Sequence, residues 1–195
     1  MRTGRLRRKP RRRTGQRATR FIGAEKLNSH RPPAAVSRAE PGHWEGDLIQ
    51  GTSNRSAIAS LVERSSRFVM LLHLPDGHNA ERVRDALSTA TSSLPTHLVR
   101  TLTWNQGVEM ARHHEFTAAT GIPVYFCDPA SPWQRGTNEN ANGLLRQYFP
   151  KGTDLSIHTA DDVTATAAEL NNRPRRTLDW SSPAERFAAL TGTTG

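Results

Sequence analysis

Three polar side chains, Asp47, Asn105 and Glu139, stand where predicted strands end or on the polar face of a predicted helix. Asp47 lies on the first predicted strand, Asn105 ends a later one, and 33 residues separate Asn105 from Glu139. If the fold brings them together, they offer the oxygen ligands that Mg²⁺ requires. Such a cluster can hold two Mg²⁺ ions about 4 Å apart, which activate a water or 3′-hydroxyl and stabilise the leaving oxygen. The pattern therefore indicates metal-dependent phosphoryl chemistry.

The stretch 131–149 is expected to carry Glu139 on a helix. Pro132 opens it and no further proline appears until Pro150, which leaves room for about four turns. A carboxylate framed by arginines and amides suits a site that holds a cation and admits a polyanion. An amphipathic helix with an incidental Glu is the alternative. The predicted apolar stripe is Ala141, Leu144, Leu145 and Tyr148, and the predicted polar face is Arg135, Glu139, Asn142, Gly143 and Arg146.

The elements that must position these residues follow an α/β order. Three strand-like segments with short links predict an antiparallel meander at 43–49, 56–63 and 67–74. Helical and strand-like segments then alternate, which predicts a mixed sheet flanked by helices. The alternating segments are 79–93, 98–104, 109–120, 124–127, 131–149 and 160–170. Ser182 and Glu185 form a capping-box pattern that predicts a closing helix.

The net charge of +9 is concentrated near the amino terminus. Residues 1–20 contain ten Lys and Arg and no acid, so the rest of the chain is nearly neutral. Runs of this kind are usually disordered and bind phosphate backbones without reading sequence. We therefore predict a basic disordered tail at 1–20, an extended linker at 21–42 and a folded domain at 43–190. A solvated tail without a partner is the alternative.

Composition excludes several classes of protein. No stretch approaches the length of apolar residues that a membrane helix needs. The single cysteine, Cys127, excludes an intrachain disulfide and suits a reducing cytoplasm, and its apolar surroundings predict an inert core thiol. No Cys/His spacing typical of zinc sites is present. We expect a cytoplasmic, nucleoid-associated protein with no membrane partner.

Several long motifs in the sequence resemble those of one family of enzymes. They are Gly42-His43-Trp44-Glu45-Gly46-Asp47, Thr103-Trp104-Asn105-Gln106-Gly107-Val108-Glu109-Met110 and Pro132-Trp133-Gln134-Arg135-Gly136-Thr137-Asn138-Glu139-Asn140. The segment 142–154 and the later Arg173-Pro174-Arg175 continue the match. With these motifs in this order, the chain resembles the insertion-sequence-thirty family of DDE-type transposases, which have an integrase-like catalytic core.

The resemblance implies a ribonuclease-H-like fold with a mixed five-stranded sheet. It also implies a catalytic triad at Asp47, Asn105 and Glu139 that holds a pair of Mg²⁺ or Mn²⁺ ions. The implied reaction is DNA strand cleavage and strand transfer at the ends of an insertion sequence. The implied partners are the element ends, target DNA and further copies of itself or of a full-length transposase.

Two departures from the family pattern bear on activity. The family's second catalytic aspartate corresponds to Asn105, whose amide oxygen carries no negative charge. Because carboxylate charge holds the metal pair, we expect activity to fall by on the order of 10² or more. The less favoured alternative is that Glu109 or Asp128 replaces the missing carboxylate as a metal ligand. The family's amino-terminal helix-turn-helix region has no counterpart in the sequence, which predicts a carboxy-terminal fragment that discriminates DNA sequences poorly.

Positive and amide side chains suggest where DNA binds. The tail arginines resemble the connector that precedes the family's catalytic domain, and further cations cluster around the Glu139 helix and the last loop. Taken singly, each cation is better interpreted as an ordinary surface residue, and only their clustering gives DNA contact equal weight. The candidate DNA contacts are Arg11, Arg12, Arg13, Arg135, Asn138, Asn142, Arg146, Lys151, Arg173 and Arg175. A catalytically inactive, DNA-binding remnant that interferes with intact transposase is the alternative function.

Overall fold

The computed structural model describes residues 22–23, 26–128 and 131–192, with only the backbone described at Pro132 and Trp133. The predicted basic tail, with Arg11, Arg12 and Arg13, lies outside these residues. Among the helices of the described part, none has the length and apolar character to cross a membrane.

A mixed five-stranded sheet forms the centre of the fold, as predicted. Its strands run in the order β3-β2-β1-β4-β5, so β1 is central. β1 pairs antiparallel with β2 and parallel with β4, while β3 and β5 continue those two pairings outward. The strands are β1 (His43–Gln50), β2 (Ala57–Glu63), β3 (Val69–Leu74), β4 (Thr101–Trp104) and β5 (Val124–Phe126).

Helices cover both faces of this sheet and complete two apolar cores. The larger core contains Trp104, Phe116 and Phe126 and includes side chains of the second, third and sixth helices. The smaller one contains Leu145 and Leu170 and lies under the fourth and fifth helices. The helices are α1 (Pro33–Ser37), α2 (Ala80–Ser92), α3 (His113–Thr120), α4 (Gly136–Leu145), α5 (Ala160–Asn172) and α6 (Pro183–Thr191).

The capping signals of the sequence agree with the structure where a polar side chain precedes a helix. At α6, the Ser182 hydroxyl accepts from the Glu185 N–H, and the Glu185 carboxylate accepts from the Ser182 N–H. A reciprocal pair of the same kind, Thr159 and Asp162, starts α5. These bonds satisfy backbone donors that have no partner inside the helix, and so fix where each helix begins.

The helix that carries Glu139 is shorter than predicted. The four-turn helix expected over 131–149 is a 3₁₀ turn at Pro132–Arg135 followed by α4. Arg135 leaves helical geometry, with φ −122° and ψ 34°, at the point where its side chain turns towards the sheet. Beyond Leu145 the chain continues as turns. Glycine and asparagine, which are poor helix formers, are frequent in this segment and do not favour a longer helix.

The described part of 21–42 packs on the domain instead of forming the extended linker that its prolines predict. Leu27 forms a parallel bridge with Phe126 of β5, and Ala35 of α1 is fully buried. Arg31 is also buried and donates from Nη1 to the Thr103 hydroxyl at 2.8 Å. Burial lowers the pKa of Arg31 to about 10, and nearby Arg64 contributes to this shift. This segment therefore adds a layer beside β4 and β5.

Gly46 allows a tryptophan to pack against the centre of the sheet. A Cβ atom at position 46 would lie 2.0 and 2.2 Å from two ring carbons of Trp104. Trp104 itself is fully buried and ends β4, immediately before Asn105. The absence of a side chain at Gly46 thus leaves room for the Trp104 ring beside the strand of Asp47.

We predict that Gly46→Ala lowers the free energy of unfolding by about 1–3 kcal/mol, because the new methyl group overpacks a rigid ring. Gly143→Ala is the matched control, since a Cβ there meets nothing within 4 Å. The control should gain about 0.5–1 kcal/mol from better helix propensity. Urea denaturation measures both changes, and equal midpoints for the two variants would contradict this account of Gly46.

Candidate active site

Asp47 and Asn105 meet at one edge of the sheet because β1 and β4 run parallel. The register pairs His43 with Thr101 and Glu45 with Thr103, which brings Asp47 level with Asn105. The Asn105 amide donates from Nδ2 to Asp47 Oδ1 at 3.1 Å. Its own oxygen accepts from the Gly107 N–H at 2.9 Å. The amide group of Asn105 is therefore held at both ends.

Polar residues of α4 and of the turn before it approach the same carboxylate from the other side. Arg135 Nη1 lies 3.1 Å from Asp47 Oδ2 and also donates to the Gly46 carbonyl at 3.1 Å. Asn142 Nδ2 donates to Asp47 Oδ2 at 3.1 Å. Glu139 lies between them, one turn before Asn142, and residues at this spacing share a helix face. Its side chain is exposed. Glu139 thus lies on the helix that Asn142 attaches to Asp47.

The Asp47 carboxylate is neutralised within the protein. It accepts from two amides, those of Asn105 and Asn142, and pairs with the guanidinium of Arg135. The Arg135 side chain is only 9% exposed, so solvent screens this pair weakly. Both oxygens on which a cation would rely are thus already in contact with donors.

These residues do not fit a pair of Mg²⁺ ions as they stand. Position 105 directs N–H rather than oxygen towards Asp47, and its oxygen is used by Gly107. Among the described residues, no group of three or more His, Cys, Asp or Glu could hold a metal ion. Mg²⁺ needs several oxygen ligands in near-octahedral geometry. The side chains supply two carboxylates, one of which already has hydrogen-bond donors at both oxygens.

The two alternative acids are engaged elsewhere. Glu109 accepts from the Trp104 indole at 3.1 Å. Asp128 accepts from the Gln134 amide at 2.6 Å, and its N–H donates to the Gln134 oxygen at 2.8 Å. These contacts fix the loops around Asn105 and before α4. Neither acid replaces the missing charge at position 105 in this structure.

A buried polar network attaches α4 to the sheet below the site. Glu45 is fully buried and accepts from Arg64 Nε at 2.7 Å and from the Asn138 N–H at 3.0 Å. Asn138 also donates to the carbonyls of Glu45 and Ser60 at 3.0 and 3.1 Å. The Ser60 hydroxyl donates to Asn142 Oδ1 at 2.8 Å. The network fixes the position of the helix that carries Glu139.

The candidate DNA contacts on α4 and in the turns on either side of it divide into residues bonded within the protein and residues exposed to solvent. Asn138 is fully buried, and Arg135 and Asn142 are bonded to Asp47, so these three position the site in this structure. Arg146 donates to the Phe149 carbonyl at 3.3 Å. Lys151 is exposed, so it can meet DNA without rearrangement.

The two arginines of the last loop differ from each other. Arg173 pairs with Glu169 at 2.6 Å and lies over the Tyr148 ring, 5.6 Å from its centroid. Arg175 is half-buried and donates to the Leu170 carbonyl at 3.3 Å. Sequence reasoning missed Arg64 and Arg67, which lie in the turn after β2. A buried acid on the neighbouring strand, at Glu45, was the signal that a basic partner had to exist.

The single cysteine is a core residue, as its apolar surroundings predict. Cys127 is 6% exposed, and burial raises the pKa of its thiol to about 11. A thiol of this kind stays protonated near neutral pH and is a poor nucleophile. Cys127 therefore takes no part in the chemistry of the site.

The fold is shared with retroviral integrases. The catalytic core domain of bovine immunodeficiency virus integrase matches with a TM-score of 0.57 and 18% identity, over 78% of this chain and 97% of that one. A chain of the simian T-cell lymphotropic virus intasome matches with a TM-score of 0.59 and 18% identity, over 75% of this chain and 54% of that one. The predicted ribonuclease-H-like fold is thus confirmed.

Sequence comparisons give the family. The model of the integrase core domain matches residues 37–132, which include Asp47 and Asn105. The transposase of insertion sequence element IS1086 from Cupriavidus metallidurans is 55% identical over 160 residues, which are 82% of this chain and 47% of that protein. The InsI transposase of element IS30C from Escherichia coli is 54% identical over 158 residues, 80% of this chain and 41% of that protein.

The chain thus spans less than half of the length of these two curated relatives. Within that span, the sequence identity, the integrase core domain and the fold all agree. The chain therefore belongs to the insertion-sequence-thirty family of transposases and carries their integrase core domain.

Proposed function

We propose that this chain is the catalytic core of a DNA transposase that acts at the ends of an insertion sequence and is impaired by Asn105. The observation that supports the proposal is the contact of Asp47 with Asn105 and with Asn142 of α4, the helix that carries Glu139. The relatives that match over most of the chain are transposases. The proposed reaction is cleavage of a DNA strand and its transfer to target DNA, and the proposed location is with the nucleoid.

Enzymes of the integrase family generally use divalent metal ions. We propose that Mg²⁺ or Mn²⁺ binding by this chain requires a carboxylate at position 105, because only that change makes the donor set suitable for two cations. As encoded, Arg135 and the amides of Asn105 and Asn142 supply the positive potential that a cation would otherwise supply to Asp47. Glu139 is the carboxylate that stays exposed on the adjacent helix face.

A second candidate function is favoured by the same saturated contacts of Asp47. In that case the chain binds DNA without cutting it, and interferes with an intact transposase by occupying DNA or by assembling with it. Integrase-core proteins of this family bind DNA and assemble into oligomers. A protein that keeps its fold and its basic residues but lacks the second acid retains the binding part of this behaviour.

We predict that Asn105→Asp increases Mn²⁺- or Mg²⁺-dependent nicking of supercoiled plasmid by on the order of 10²-fold over the unchanged chain. The added carboxylate restores charge for metal-bound transition-state oxygens. Plasmid nicking needs no knowledge of element ends. Asn105→Asp combined with Glu139→Gln is the control and should lose the gain. Equal activity with and without the substitution would show that charge at position 105 does not limit catalysis, and inactivity of all variants would favour the remnant.

A stability measurement tests the metal proposal without activity. Asn105→Asp replaces an N–H donor with a second carboxylate oxygen beside Asp47 Oδ1, so the free energy of unfolding should fall by about 1–3 kcal/mol without divalent metal. Mg²⁺ should recover this loss, whereas NaCl of the same ionic strength should recover little of it.

Asn79→Asp is the matched control, because Asn79 caps α2 and Asp caps a helix equally well. Neither it nor the unchanged chain should respond to Mg²⁺ beyond the salt effect. A Mg²⁺ response of equal size in all three proteins would contradict the assignment of the cation to position 105.

A further inference from the structure

A second concentration of positive charge lies beside α4, on a different side from Asp47. Arg67, in the turn between β2 and β3, and Arg175, in the loop after α5, line a cavity of about 90 Å³. Its other polar lining residues are Thr137, Asn140 and Thr177. The remaining wall is apolar and consists of side chains from β2, β3 and α4. Asn140 and Thr177 are exposed, so the cavity opens to solvent.

Arg67 is held in place by a strained backbone and by a buried hydroxyl. Its φ is +64°, in the left-handed region that few residues other than glycine adopt. Its Nη1 donates to the Thr137 hydroxyl at 2.8 Å, and Thr137 is 3% exposed. Its N–H donates to the Glu63 carbonyl at 2.9 Å. The guanidinium is therefore preorganised at the first turn of α4.

Arg175 is fixed as firmly by its own loop. Its N–H donates to the Ser181 carbonyl, and its carbonyl accepts from the Trp180 N–H, both at 3.0 Å. One terminal nitrogen donates to the Leu170 carbonyl at 3.3 Å. The Nε atom is shielded from solvent and has no hydrogen-bond partner in the described part of the chain. A buried guanidinium N–H without an acceptor is costly unless a ligand provides one.

Carboxylates compensate little of the charge around the cavity, since Glu45 acts on the pKa of Arg67 less strongly than burial and Arg38 do. Neither arginine forms a salt bridge within residues 22–23, 26–128 and 131–192, and no carboxylate lines the cavity there. Burial lowers the pKa of Arg67, and the nearby cation Arg38 adds to the effect. Burial also lowers the pKa of Arg175, with a further contribution from Arg173. An anion between the two guanidinium groups would relieve this repulsion.

We propose that this cavity binds one phosphate of the DNA backbone, separate from the phosphate that lies at Asp47 and Glu139. The inference rests on the proposed function, since it takes DNA as the ligand. Guanidinium groups match phosphate oxygens in paired hydrogen bonds, and hydroxyl and amide groups add donors. An apolar wall next to the cavity strengthens these contacts by limiting water.

The position of the cavity indicates what a phosphate contact there would do. Thr137 and Asn140 line it from the turn of α4 that also carries Glu139. A phosphate held there would fix the register of the strand relative to Glu139 without reading its sequence. Contacts of this kind position a protein on DNA, whereas contacts to base edges specify the sequence.

The first test measures binding of a 30-base-pair duplex by the full chain in EDTA, as a function of salt. Arg175→Gln and Arg67→Gln should each weaken binding about tenfold and reduce the salt slope by about 1. Arg176→Gln is the matched control, because it removes the same charge from an exposed neighbour in the same loop. It should weaken binding less than threefold. The double substitution at 67 and 175 should cost clearly less than the product of the single effects, since both arginines hold one phosphate.

The second test uses inorganic phosphate and the melting temperature. Phosphate should raise the melting temperature of the unchanged chain and of Arg176→Gln more than NaCl of the same ionic strength does. Arg175→Gln should abolish that difference. Arg175→Lys should restore only part of it, because an ammonium group keeps the charge but lacks the paired, planar N–H donors of a guanidinium group. Comparing each variant with itself, with and without phosphate, separates anion binding from a general loss of stability.

The outcomes distinguish the cavity from the proposed function. Failure of the unchanged chain to bind the duplex would overturn the proposed function, and the proposal that DNA fills the cavity with it. Equal duplex binding by Arg175→Gln and Arg176→Gln would overturn only the cavity proposal. A phosphate effect that depends on Arg175, together with unchanged duplex binding, would show an anion site that DNA does not occupy.

Discussion

The geometry of the site depends on one buried carboxylate, that of Glu45. It lies on the central strand beneath α4, fully shielded from solvent, with Arg64 on one oxygen and the backbone N–H of Asn138 on the other. Removing a carboxylate from water costs several kcal/mol, so this group is stable only while both partners are in place. Because one partner is the main chain of α4, the position of the helix is coupled to the charge balance of the strand.

The same coupling explains why some polar residues of α4 are bonded to the sheet while Glu139 is exposed to solvent. Asn138 is bonded into the sheet, and Asn142 bridges Ser60 and the Asp47 carboxylate. A helix attached by buried hydrogen bonds as well as by apolar contacts has few alternative registers, because each shift leaves buried polar groups unpaired. Because Glu139 lies between these two residues on α4, their hydrogen bonds also fix the backbone of Glu139 relative to the sheet.

Local signals in the sequence were sufficient for the sheet and for several helix ends. Strand alternation, the proline at 75 and the capping box at Ser182 act over a few residues, and the structure agrees with them. The division of β1 into a polar face with Asp47 and an apolar face with Trp44 follows from the two-residue period of a strand. The sequence motifs extended the prediction from single elements to the fold and the family, although the role of Asn105 stays a prediction.

What the sequence did not reveal depends on partners that are distant along the chain. Arg31 is joined to Thr103 and Asn138 to Glu45 across 72 and 93 positions, and no periodicity encodes either pair. Proline content suggested that the segment before β1 is extended, but the backbone bridge at Leu27 and the burial of Ala35 attach it to the domain. The late start of α4 has a similar origin, since Arg135 leaves helical geometry where its side chain turns inward to reach the sheet.

The anchoring of Leu27 beside Phe126 limits how far the basic residues near the amino terminus can reach. If the chain were free up to His43, Arg20 could lie up to roughly 80 Å from the sheet. With the attachment at Leu27, Arg20 lies at most roughly 25 Å away along the chain, and the attachment point is the edge strand β5. The same bound grows by about 3.5 Å for each residue towards the amino terminus, so it is tightest for the cations nearest to Leu27. Because Leu27 is attached at β5, the segment that precedes it in the chain joins the domain beside the outermost strand and not beside the central strand β1.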